Sequence, residues 1–104
     1  MVIDEIHELL ATPRPEEATP FLERLDATLT AGYAQALQLE AERWRLERRI
    51  GEVAARLADE GAEPRVDELL TLSRRLTAAN EGITSLRALL ASLRERRAEV
   101  RTAA

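Results

Sequence analysis

Asp59-Glu60-Gly61-Ala62-Glu63-Pro64 is the stretch whose reading decides the fold. Glycine is a weak helix former, and proline disfavours helical geometry in the residue before it. A helix is therefore expected to break here. A heptad repeat runs on each side of the break. Upstream, Leu22, Leu25, Leu29, Gly32, Ala36, Leu39, Arg43, Leu46, Ile50, Val53 and Leu57 follow one another at alternating steps of three and four. Downstream, Leu69, Leu72, Leu76, Ala79, Ile83, Leu86, Leu90, Leu93, Arg97 and Val100 do the same. This spacing places one apolar stripe on each of two helices. Folded back at the break, the stripes can meet, which predicts an all-α, antiparallel coiled-coil helical hairpin.

The register can be tested from the sequence. In an antiparallel pair, an a position of one helix faces a d position of the other. Folding the chain about Gly61 sets Val53 opposite Leu69, Leu46 opposite Leu76, Leu39 opposite Ile83 and Leu29 opposite Leu93. It also sets Gly32 opposite Leu90, Ala36 opposite Leu86 and Arg43 opposite Ala79. Small residues thus face large ones, as interdigitated packing prefers. The seam contains two arginines. Arg43 has room beside Ala79, and Arg97 lies near the open end, so both are expected to carry their heads out to water. Gly82 is expected to mark the close approach of another helix.

The remaining elements follow from caps and breakers. Residues 2–11 form a short amphipathic helix, with Ile3, Ile6, Leu9 and Leu10 on one face; Thr12-Pro13-Arg14-Pro15 ends it. Residues 12–19 form a linker. Thr19-Pro20 is a good helix start, with a hydroxyl at the cap and proline at the first helical position. The first long helix is expected over 20–59, the turn over 60–63 and the second long helix over 64–101. Forty residues at 1.5 Å each make roughly 60 Å of helix. The length of 104 residues suggests a single helical domain.

Composition narrows the function classes. A third of the residues are charged and only 3% are aromatic, which fits long helices better than an enzyme pocket. Cysteine is absent, so thiolate chemistry and cysteine-based zinc sites are excluded. No apolar run approaches the ~18 residues of a membrane span, and a cytoplasmic location is expected. All fifteen basic residues are arginine, which with the many alanines suggests a GC-rich bacterial genome. The net charge of −4 disfavours bulk attraction to nucleic acid.

A hairpin alone buries one stripe per helix, which is little for a chain without disulfides or metals. A second apolar stripe, Tyr33, Leu37, Ala41 and Trp44, lies on the first long helix. Its counterpart on the second helix is Val66, Leu70, Ser73, Thr77, Asn80, Thr84, Ala88 and Ala91. Either the N-terminal helix covers part of this stripe, or two hairpins pair into a four-helix bundle. The homodimer is favoured, because a ten-residue helix cannot cover so long a surface.

No catalytic constellation is present. His7-Glu8 is half of a zinc-protease motif, but Ala11 stands where the second histidine belongs. His7 is the only histidine, and there is no glycine-rich phosphate loop. The chain is expected not to be an enzyme and to need no cofactor. Two charged regions are candidates for binding. Arg45, Arg48, Arg49, Arg74 and Arg75, with Arg43, form a belt that pairs with Glu40, Glu42, Glu47 and Glu52 or holds a phosphate-bearing ligand. Asp59, Glu60 and Glu63 give the hairpin an acidic tip for a partner protein. This tip resembles the acidic hairpin tips that enter the secondary channel of RNA polymerase.

Helical-hairpin anti-sigma factors that respond to cyclic di-GMP have a similar outline, and Glu81 and Ser85 match the start of their repeat. Ala88, Ser92 and Arg96 depart from it, so no residues carry over. The sequence reading is a non-enzymatic protein–protein interaction module, regulatory or scaffolding, with a second copy and an unidentified protein as partners. A transcription factor such as a sigma factor is the concrete candidate. The alternative is a sensor of a phosphate-bearing ligand such as a cyclic dinucleotide.

Overall fold

The computed structural model describes residues 1–13, 15–60 and 63–103. The chain is all-α, with three helices and no strand among the described residues. They are α1 (Val2–Ala11), α2 (Ala18–Glu60) and α3 (Glu63–Ala103). The turn expected at Gly61 lies outside the described residues, as do the side chains of Glu60 and Glu63.

The capping chemistry explains where the helices begin and end. α1 stops at Thr12, whose extended backbone (ψ 124°) is the geometry required before Pro13. The Thr12 N–H and hydroxyl both donate to the Glu8 carbonyl, at 3.1 and 2.8 Å. One freed carbonyl of the last turn is thereby satisfied. α2 begins at Ala18, two residues before the expected start, so Pro20 falls in the first turn. Proline is tolerated there because the N–H groups of a first turn have no helical partner anyway.

Contacts divide the chain into two compact units. One comprises Met1–Leu37 with Thr84–Ala104, and the other Gln38–Ile83. In the first unit α2 and α3 run antiparallel: Asp26 pairs with Arg97, and Gly32 meets Leu90. Leu25, Leu29 and Ala36 of α2 are buried, as are Leu86, Leu90, Leu93 and Val100 of α3. A Cβ built on Gly32 overlaps Leu90 Cδ2 and lies 3.5 Å from Leu90 Cγ. Glycine at this position is therefore what lets the leucine fill the interface.

The first unit buries more than the two-helix seam. Phe21 and Thr28 are buried, although both are g positions outside the predicted stripe. Leu89 and Arg96, g positions of α3, are half-buried. The third helix accounts for this. Ile6 and Leu9 of α1 are fully buried, and Arg24 reaches Glu5 at 2.7 Å and Glu8 at 3.5 Å. Arg96 Nη2 donates to the Thr12 carbonyl at 2.8 Å, and its guanidinium lies 5.9 Å from the Phe21 ring centre. α1 thus packs on the g side of this unit, away from Tyr33, which remains exposed.

The second unit is built on an a/d seam. Leu46, Val53 and Leu72 form its buried centre, with Ile50, Leu69, Leu76 and Ala79 packed around them. α2 and α3 are antiparallel here as well, because Glu42 pairs with Arg75 and Arg49 with Glu68. The two seam arginines turn outward within their own units. Arg43 Nε lies 3.6 Å from Glu47, one turn along, and Arg97 pairs with Asp26. At Gly82 no helix of this chain makes the expected close approach: among the described residues nothing lies within 4 Å of a Cβ placed there. The same holds at Gly51.

These contrasts give opposite outcomes for glycine substitutions. Gly51→Ala and Gly82→Ala should each raise unfolding stability by up to about 1 kcal/mol, the helix-propensity difference. Gly32→Leu should lower it by about 1–3 kcal/mol through overpacking against Leu90. Urea unfolding followed by circular dichroism measures all three. In the first unit, Ile6→Ala should cost about 2–4 kcal/mol. Hydrogen exchange should then show α1 losing protection before the rest.

Candidate functional site

In the second unit the two edges of the helix pair differ in chemistry. On the g edge, charges cross between helices. Arg49 directs Nε and Nη2 onto one Glu68 oxygen at 3.2 and 2.7 Å, and Arg75 faces Glu42 at 3.7 Å. The hydrogen bond and charge of Glu68 push the Arg49 guanidinium above its ordinary pKa. Arg49 also touches Glu52 at 3.5 Å, and Arg48 approaches the same carboxylate at 3.8 Å. Arg45 and Arg74 are exposed and make no ion pair among the described residues. Of the belt residues, Arg48, Arg49 and Arg75 are therefore laced to carboxylates, while Arg45 and Arg74 face water.

The opposite edge, formed by b and e positions, holds the apolar surface of this unit. Trp44 is 60% exposed, Leu70 51% and Val66 41%. Ala41 is also exposed. The Arg48 guanidinium lies 5.2 Å from the Trp44 ring centre, which gives the ring one cation–π partner and leaves most of it in water. From residue 66 to residue 80 the b and e positions of α3 are Val66, Leu70, Ser73, Thr77 and Asn80. None is charged, in a chain where a third of residues are. Interface centres are depleted of charge and enriched in aromatic residues in just this way.

The first unit presents its own b/e edge. Tyr33 and Leu37 are 42% and 67% exposed. Beside Tyr33 lies an open groove of about 790 Å³, lined by Asp26, Tyr33, Arg94, Arg97 and Arg101 among others. Asp26 neutralises Arg97. Arg94 and Arg101 have no partner among the described residues. The sequence reading did not single out this arginine set as a site. Its signal was present: Arg87, Arg94 and Arg101 recur every seven residues at e positions of α3.

Other candidates resolve simply. Asp59 is exposed, while the Glu60 and Glu63 side chains lie outside the described residues, so the acidic tip has no geometry to report. His7 is exposed. Among the described residues, no group of three or more histidine, aspartate or glutamate side chains could hold a metal ion. No helix among them is long and apolar enough to cross a membrane. No known protein family, curated protein or solved structure matches this chain.

The lacing on the g edge should be ionic in origin. Arg49→Ala should lower the melting temperature at low salt. The difference from the unsubstituted protein should shrink at 1 M salt, where the Debye length falls to about 3 Å. Thermal melts at the two salt concentrations decide this.

Proposed function

We propose that the chain is a non-enzymatic protein–protein interaction module, and that its first partner is a second copy of itself. In this reading two helix pairs meet through the b/e edge of the Gln38–Ile83 unit and make a four-helix bundle. The observation that carries the reading is the exposure of Trp44, Val66 and Leu70 beside an α3 edge without charge. Each is a large apolar group left in water, while the same unit buries Leu46, Val53 and Leu72.

A second copy is the occupant that this chemistry favours. A two-fold dimer brings the same surface to both sides, so the uncharged Val66–Asn80 edge of α3 in one copy can meet that of the other. Glu47, an e position of α2 on this edge, already has Arg43 as its partner, so covering it leaves no stranded charge there, which would be costly. The laced g edge stays outside, where its ion pairs keep their water. Trp44 supplies the kind of aromatic anchor that dominates interface energetics. A regulatory protein such as a sigma factor then meets a bundle rather than a single helix pair.

Sedimentation velocity over a concentration series tests the reading. The unsubstituted protein should be dimeric at micromolar concentration. Trp44→Ala and Leu70→Ala should each weaken association about tenfold or more, an anchor's loss of at least ~1.4 kcal/mol. Helicity should be unchanged, since both side chains are exposed. A protein that is monomeric at tens of micromolar overturns the proposal, and so does a dimer indifferent to both substitutions.

A further inference from the structure

We propose that the arginine-lined groove of the Met1–Leu37 and Thr84–Ala104 unit binds a nucleotide carrying two or more phosphates. The groove is lined by three arginines from one face of α3, at positions 94, 97 and 101. From Arg94 to Arg101 the helix rises about 10 Å. Neighbouring positions three or four apart bring side chains within about 6 Å at their bases. Adjacent arginines can therefore share a phosphate between them, and the set of three suits consecutive phosphates better than one.

Stability gives only part of this cluster a reason. Arg101 lies in the last turn of α3, where a cation interacts favourably with the helix dipole. Arg97 has Asp26. Arg94 has neither the last turn nor a partner among the described residues, and it stands one turn from another cation. Like charges at this spacing destabilise a helix. The groove's one lining carboxylate, Asp26, leaves two of its three cations uncompensated. Guanidinium forks are matched to phosphate oxygens, which makes an anion the natural complement.

Tyr33 extends the choice from a bare polyphosphate to a nucleotide. Tyr33 lines the same groove and is 42% exposed. An exposed aromatic face beside phosphate-binding arginines can stack a base, which is worth about 1–3 kcal/mol where it has been measured in single-stranded nucleic-acid sites. The groove volume of about 790 Å³ falls within the ~300–1,000 Å³ range of small-molecule sites. Arginine stays cationic at all working pH values, so affinity should rise as pH passes upward through about 6, where a terminal phosphate loses its second proton.

This proposal uses only the first unit and stands or falls apart from the interface reading. Isothermal titration of the full chain with ADP and with inorganic pyrophosphate, in 0.1 M salt, tests it. Both should bind. Arg94→Ala and Arg101→Ala should each weaken both ligands about tenfold, with helicity retained because both residues are exposed. Tyr33→Leu should weaken ADP several-fold and leave pyrophosphate unchanged. Asp26→Asn, which removes the competing carboxylate and releases Arg97, should tighten both. Arg45→Ala and Arg74→Ala, in the other unit, should change neither. No heat of binding with millimolar ADP overturns the proposal. So does binding that survives Arg94→Ala and Arg101→Ala, weaker binding by Asp26→Asn, or equal loss of ADP and pyrophosphate in Tyr33→Leu.

Discussion

The burial of leucines between α2 and α3 is the constraint on which the rest of the structure depends. Leu25, Leu86, Leu90 and Leu93 are essentially inaccessible to water in one unit, and Leu46, Val53 and Leu72 are buried in the other. Fully burying one such side chain is worth about 1.5–3 kcal/mol. The sequence has no cysteine, so no disulfide shares this role. The packing is asymmetric in detail. Gly32 yields its space to Leu90, so one side of the seam is thinned where the other is bulky. Arg43 and Arg97 occupy seam positions without breaking it, because each stem is long enough to deliver its charge to Glu47 or Asp26 at the rim.

The seam also decides which surfaces remain for function. In the first unit α1 covers the g side, burying Phe21 and Thr28 and holding Arg96 against Thr12. The b/e side there keeps Tyr33 and the groove arginines accessible. In the second unit the g side is occupied by cross-helix ion pairs, and the b/e side carries Trp44, Val66 and Leu70. Each unit therefore closes its g edge by a different means, hydrophobic cover in one and charge in the other. In both, the b/e edge carries the exposed side chains on which recognition can act.

Charge has two different meanings in this molecule. Arg24, Arg49 and Arg75 each face a carboxylate across helices, and the hydrogen bond from Glu5 pushes the Arg24 guanidinium above its ordinary pKa. Such exposed pairs fix register more than they add stability. Arg94 and Arg101 differ, because their geometry leaves them facing a groove rather than an acid. A sequence rich in both signs does not distinguish these cases. Only the angular position of each arginine relative to its neighbours does.

Much was legible in the sequence. Steps of three and four identified the buried stripe, because a helix has only one face that such spacing can line. Leu25, Leu29, Ala36, Leu46, Val53, Leu72, Ile83, Leu86, Leu90, Leu93 and Val100 are all buried as that period requires. Thr12-Pro13 ended α1 for a local reason, the backbone restriction before proline. What the tertiary structure decided was where α1 docks. Its small apolar face, Ile6 and Leu9, carries no information about which side of a helix pair it will choose. That choice depended on partners far along the chain: Arg24 for Glu5 and Glu8, and Arg96 for the Thr12 carbonyl. For the same reason sequence spacing found Tyr33 and Trp44 as a stripe but could not say that Tyr33 would line a groove with arginines of α3. Periodicity along one helix fixes which residues share a face, while the neighbours of that face are set only when distant segments pack.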